Sequence, residues 1–126
     1  MMAAAASAQQ PQAHHWAIVV HGGAGDIFRA KLGPDGDKAY RASLTRVVQA
    51  GAAVLDRGGS SLDAIEAAIH IMEDDPLFNA GHGAVFAADG TNEMDSAIRD
   101  GATFRAGAVA NVTRTRHPIS LARAVM

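Results

Sequence analysis

The hydrophobic period of the chain changes across one stretch, Pro76-Leu77-Phe78-Asn79-Ala80-Gly81-His82-Gly83. Before it, apolar residues recur at helical spacing; after it, they alternate. The stretch itself sets a Leu-Phe pair, one amide side chain and two glycines between the acidic run Glu73-Asp74-Asp75 and the strand-like Ala84-Val85-Phe86-Ala87. That composition suits neither a regular helix nor a strand, and predicts a specially shaped loop built to place something.

On the helical side, Leu44, Val47, Val48, Gly51, Val54 and Leu55 share one face of a helix predicted over Asp37–Asp56, which Gly58-Gly59 stops. Ser60 then reads as an N-cap with Asp63 three residues on. Leu62, Ile65, Ile69 and Met72 carry the second helix to about Glu73. Two consecutive amphipathic helices predict one layer over something flat. On the alternating side, Ala84–Ala88 and Glu93–Arg99 flank the turn dipeptide Asp89-Gly90, and Phe104 to Val112 alternates as a third strand of an antiparallel meander. Small residues dominate that sheet, so another layer can approach it closely. A last helix starts at Pro118 and runs through Met126 without a stop signal. The expected class is mixed α/β, of the α+β kind.

Ahead of the helices, Trp16-Ala17-Ile18-Val19-Val20 is a continuous apolar run, predicted to be a strand buried on both faces, and it leads into His21-Gly22-Gly23-Ala24-Gly25-Asp26. A dinucleotide fingerprint fails there, because Gly23-Ala24-Gly25 would need glycine where Phe28 stands; Gly81-His82-Gly83 fails likewise at Phe86. No phosphate-loop pattern occurs. The glycines supply either close backbone approach beside a reacting carbonyl or a tight turn needing positive φ. Residues 1–15 are Ala/Gln-rich and broken by Pro11, and read as a disordered leader ahead of one domain over 16–126; His14-His15 is taken as a solvated pair in that leader.

The charge balance of 11 Lys+Arg against 13 Asp+Glu, without a basic run, offers nothing to nucleic acid. No apolar run is long enough to span a membrane. Zero cysteines exclude disulfides and thiolate metal sites and suit a reducing compartment, so the expected location is cytoplasmic. There is no G-x-S-x-G elbow and no H-E-x-x-H, and the six histidines show no metal-ligand spacing. Asp95 is expected to pair with Arg99 on one strand face. Arg57, Glu66 and His70 are expected on solvated helix faces, and Glu73-Asp74-Asp75 at an acidic helix end pointing to water; a hard cation there would use main-chain carbonyls of the curved loop.

Six stretches in order resemble the plant-type L-asparaginase/isoaspartyl peptidase family: His21-Gly22-Gly23-Ala24-Gly25, Gly58 to Ala64, Asp75 to Val85, Glu93 to Gly101, Ala106 to Ala110 and His117 to Arg123. The resemblance covers Trp16 to Met126. It implies an N-terminal-nucleophile hydrolase with a four-layer αββα sandwich, made as one precursor that cleaves itself before a threonine. That threonine, using its own α-amino group as base, attacks asparagine or a β-aspartyl peptide and forms an acyl-enzyme that water hydrolyses. The resemblance further implies that Asn79 helps position the nucleophile's surroundings, and that the turn from Gly22 and Gly23 packs beside the cleavage site. A structural sodium or potassium ion would take backbone oxygens of Met72, Glu73, Asp75, Phe78, Ala80 and His82. The implied partner is a β subunit in an (αβ)2 dimer.

This chain departs from the pattern in one respect. The nucleophilic threonine belongs to the β subunit, so the 126 residues are expected to be most of an α subunit and inactive alone; a second reading is a non-enzymatic α-like paralogue that binds asparaginase subunits. Gly90-Thr91 offers the Gly-Thr pair of a self-cleavage site, but Thr91 follows Asp89-Gly90 and precedes Asn92-Glu93, which is better explained as a hairpin turn. With the small-residue sheet face open, the isolated chain is expected to be poorly soluble.

Overall fold

A computed structural model of the chain describes residues 16–23 and 29–126. Two long helices come first: α1, Arg29–Asp56, and α2, Ser61–Asp74. A single 3-10 turn, Gly81–Gly83, follows. Two strands, β1 Met94–Arg99 and β2 Ala106–Val112, then pair antiparallel, and α3, Pro118–Val125, closes the order. Residues 1–15, expected to be a disordered leader, and Ala24 to Asp26 of the glycine turn lie outside the described residues.

α1 begins earlier than its apolar stripe predicts. It is two helices joined at Gly33, whose φ of 64° and ψ of 178° are not helical, and Pro34 restarts the helix because proline's fixed φ suits a first turn and excludes the helical conformation from the residue before it. α2 begins as expected. The Ser60 side chain accepts from the Asp63 N–H and the Asp63 carboxylate reaches back to the Ser60 N–H, so two otherwise orphaned donors are satisfied reciprocally.

α1 and α2 enclose the larger core, Val47, Ala68, Met72 and Phe78, with Leu44, Tyr40 and Val20 against it. The second core, Ile98, Ile119 and Ala122, lies where α3 covers one face of β1 and β2, and Ile69 of α2 touches both. Trp16–Val20 is not a strand. No strand among the described residues runs beside it to complete a ladder; it lies against the helices with Ile18 over Gly51 and Val20 packed on the core, and Val19 is 92% exposed. Its alternation survives, but one face is bare.

The meander is also smaller than expected. Ala84–Ala88 meets the following chain by a single bridge, Phe86 to Asn92, while Asp89-Gly90 turns tightly enough for the Ala87 N–H to reach the Thr91 carbonyl at 2.7 Å. The extended pairing is between β1 and β2, with Ala97 opposite Ala108 and Ile98 opposite Gly107. Between Met94 and Ser96 the register slips by one residue of β2, and Asn111, at φ 56°, takes the bulge. Its N–H would be orphaned there, and Asp95 Oδ1 accepts it at 2.8 Å. Asp95 therefore does not pair with Arg99: residues four apart on a strand stand about 13 Å apart, and the Arg99 guanidinium lies over Phe104, 5.2 Å from the ring centroid.

The two sheet faces differ sharply. Ile98, Gly107 and Val109 point to α3, whereas Ala97, Ala106, Ala108 and Ala110 are exposed. α3 sits so close that a Cβ on Gly107 would run into the Ala122 carbonyl and stand 2.8 Å from the Met126 nitrogen. Both are backbone atoms that cannot turn aside. Gly107→Ala is expected to lift α3 and cost about 2–3 kcal/mol, on the scale of overpacking a close-fitted core, measured as a drop in the urea midpoint; Ala108→Ser, on the open face, is expected to shift it by less than about 0.5 kcal/mol.

Candidate functional site

α2 ends at Asp75, which leaves the helical region at φ −100° and ψ 117°, as expected of a residue followed by proline. From there the chain is clamped to α1. Asp75 Oδ2 accepts the Ser43 hydroxyl at 2.5 Å and the Arg46 guanidinium at 3.0 Å, and its Oδ1 accepts the Leu77 N–H at 3.1 Å. Burial pulls the Asp75 pKa upward, but these donors outweigh it and hold the carboxyl below its ordinary value. Tyr40 donates to the Leu77 carbonyl at 2.7 Å and meets the buried Phe78 ring edge to face. The Leu77-Phe78 pair is thus an anchor, and it fixes the residue that follows.

That residue is Asn79. Its side chain is exposed, Oδ1 accepts the Val85 N–H at 2.9 Å, and Nδ2 donates to nothing among the described residues. It stands on the wall of a cavity of about 260 Å³ between the loop and the start of β1, with Glu73, Gly81, Val85, Glu93 and Asp95 also lining it. Gly22 arrives from the other side: a Cβ placed on it would lie 3.5 Å from Leu44 and 3.6 Å from Phe78. Gly23, at φ 117°, donates its N–H to His21 Nδ1 at 3.2 Å. The two glycine-bearing segments predicted to share a site therefore converge on Phe78, one residue from Asn79. Thr91 stays outside, its hydroxyl and N–H both bound by Asp89 Oδ1 in the exposed turn.

Of the six carbonyls predicted to hold a cation, those of Met72 and Glu73 belong to the end of α2 and the other four to the tight curl that follows it. Met72 O accepts from Asp75, Asp75 O from Phe78, Phe78 O from Ala80 and Ala80 O from Gly83. Each carbonyl keeps a second lone pair, and the curl is closed by glycines: a Cβ on Gly81 would collide with the Glu73 carbonyl, and one on Gly83 with the Phe78 carbonyl. The donor set is all neutral oxygen, which suits a hard monovalent cation.

The acidic helix end points to water only at Asp74, which is exposed. Glu73 is buried; Oε1 accepts the Ile119 N–H at 2.9 Å and Oε2 lies 3.1 Å from His117 Nδ1. Burial raises its pKa, opposed by the Ile119 N–H and by His117. Asp74 holds Arg116 at 2.8 Å and is lowered by it.

Glu66 and His70 are not on a bare face either, because α3 packs beside it. Glu66 accepts the Ser120 hydroxyl at 2.5 Å and Arg123 at 2.5 Å, and its pKa falls on account of both. His70 Nε2 lies 2.7 Å from the Ser120 oxygen. Since the hydroxyl proton faces Glu66, His70 is placed to donate to Ser120 rather than to activate it as a nucleophile. The signal for this seam was in the spacing: Asp63, Glu66 and His70 recur on one edge of α2, matched by Ser120 and Arg123 three apart on α3.

The family model described as asparaginase matches residues 14–126. The chain is 46% identical over 109 residues to an isoaspartyl peptidase of Salmonella typhimurium, covering 86% of this chain and 35% of that protein. It is 47% identical over 109 residues to an isoaspartyl peptidase/L-asparaginase of Xenopus laevis, 86% of this chain and 34% of that protein. With a plant-type L-asparaginase of Pyrococcus abyssi the identity is 48% over 110 residues, 87% of this chain and 34% of the other. The chain belongs to the asparaginase family. It spans about a third of the length of these relatives.

Proposed function

We propose that this chain is the α part of a threonine-nucleophile amidohydrolase that acts on L-asparagine and β-aspartyl peptides after self-cleavage. The observation that carries the reading is the packing of Gly22 against Phe78, the residue before Asn79, in a chain whose relatives are named for those activities. The nucleophilic threonine comes from a β part, together with which the chain completes a four-layer αββα sandwich and an (αβ)2 dimer in the cytoplasm. The open face of Ala97, Ala106, Ala108 and Ala110 supports this, because small side chains let a second sheet approach.

The threonine's own α-amine, with a pKa near about 8, takes the hydroxyl proton as the oxygen attacks the side-chain amide carbon. Ammonia, or the amine of a β-aspartyl peptide, leaves with that proton, and water hydrolyses the acyl-enzyme. This chain's part is positional. Asn79 is held by the Val85 N–H with Nδ2 turned outward, ready to orient what stands in the cavity. The carbonyls of Met72, Glu73, Asp75, Phe78, Ala80 and His82 would hold a sodium or potassium ion, whose chemistry is to neutralise their dipoles and stiffen the curl.

The test is ammonia release from L-asparagine. The 126 residues alone are expected to release none, and co-production with a β part opening on threonine to restore turnover; release by the chain alone would overturn the proposal. In the complete enzyme Asn79→Ala is expected to lower kcat/KM roughly 100-fold, the scale of a misplaced reactant, with less than about 1 kcal/mol lost in stability because Val85 is exposed and water replaces the lost acceptor.

A further inference from the structure

His70 and Glu73 stand three apart on α2, so their side chains share one face, and His117 at the start of α3 meets them there. One ring nitrogen of each histidine and one Glu73 oxygen lie within 4.8 Å of one another. The His117 Nδ1 to Glu73 Oε2 distance is 3.1 Å, close to the ~3.4 Å that separates two ligands on a tetrahedral zinc with bonds of about 2.1 Å. The two imidazole rings lie 4.2 Å apart, tilted by 32°, so neither blocks the other's edge.

We infer that His70, Glu73 and His117 form a binding site for a divalent transition metal of the zinc type, which cross-links α2 to α3. Two imidazoles and one carboxylate, without thiolate, favour zinc, cobalt, nickel or copper over calcium or magnesium. Three protein ligands leave a fourth position for water. The outer groups are those such a site needs. The Ile119 N–H holds the second Glu73 oxygen at 2.9 Å, and Asp74 Oδ1 lies 3.8 Å from His117 Nε2, the ring nitrogen left over when Nδ1 binds metal. Glu66 adds a further carboxylate 3.7 Å from His70 Nε2. The site uses side chains, not the loop carbonyls, and stands whether or not the protein is an amidohydrolase.

The full protein, stripped with a chelator, is titrated with Co2+ alone and then with Zn2+. One equivalent of Co2+ is expected to give the visible absorption of a low-coordinate ion, Zn2+ to abolish it, and Zn2+ to raise the melting temperature. His70→Ala, His117→Asn and Glu73→Gln should each weaken binding more than about 100-fold, beyond the usual loss for an outer partner; Glu73→Gln keeps an oxygen for the Ile119 N–H and so guards against misfolding. Replacing His14 and His15 by alanine should change nothing. Absence of the cobalt signal, equal binding by the His70→Ala/His117→Asn double variant, or loss of binding with His14 and His15 would each overturn the site.

Discussion

Glu73→Ala is expected to cost about 3 kcal/mol. The residue is 3% exposed and its carboxylate is the acceptor for the Ile119 N–H, a buried donor at the first turn of α3. Truncation leaves that N–H without a partner, at roughly 1–3 kcal/mol, and opens a void between α2 and α3. It also releases His117, whose Nδ1 faces the same carboxylate. Glu73→Gln is the discriminating comparison: its amide oxygen can still accept from Ile119, and it carries no charge into a site where burial already raises the Glu73 pKa. The glutamine variant is expected to retain most of the stability, within about 1 kcal/mol. Urea midpoints of the two variants check this, and equal losses would show that the fold depends on the charge rather than on an acceptor for the Ile119 N–H.

Glu73 also shows what the chain's pattern conveyed and what it hid. Local signals worked: the Ser60 capping box, the end of α2 before Pro76, the turn at Asp89-Gly90 and the proline start of α3 each depend on residues within a turn of one another. Asn79 stands out in the sequence because the family motif surrounds it. The burial of Glu73 could not be read from an acidic run, since what removes it from water is α3, 46 residues further on. Glu66 and His70 were misplaced on a solvated face for the same reason. Trp16–Val20 failed differently: five apolar residues have the period of a buried strand whether or not a neighbour supplies the hydrogen bonds. Thus the pairing partner, not the propensity, decides whether such a run is a strand.

Gly81→Ala is expected to lose about 3 kcal/mol and most of the activity of the complete enzyme, and a second glycine separates the two causes. Gly81 sits at φ +48°, where an L side chain costs roughly 1–2 kcal/mol, and its Cβ would collide with the backbone of Glu73. Gly58 sits at φ +77° with nothing within 4 Å of an added Cβ. Gly58→Ala therefore reports the conformational cost by itself, about 1–2 kcal/mol, with unchanged kcat. In Gly81→Ala the collision adds a further loss of about 1–3 kcal/mol, because a backbone carbonyl at the end of a packed helix moves only if the curl opens. Opening it shifts Ala80 and Asn79 by the width of a methyl group, and a shift of about 1 Å in a positioning residue is enough for a 100-fold fall in kcat/KM. Matched urea midpoints with matched kcat/KM for the two variants would mean that the curl tolerates a side chain, and that Asn79 is held by Phe78 and Val85 without it.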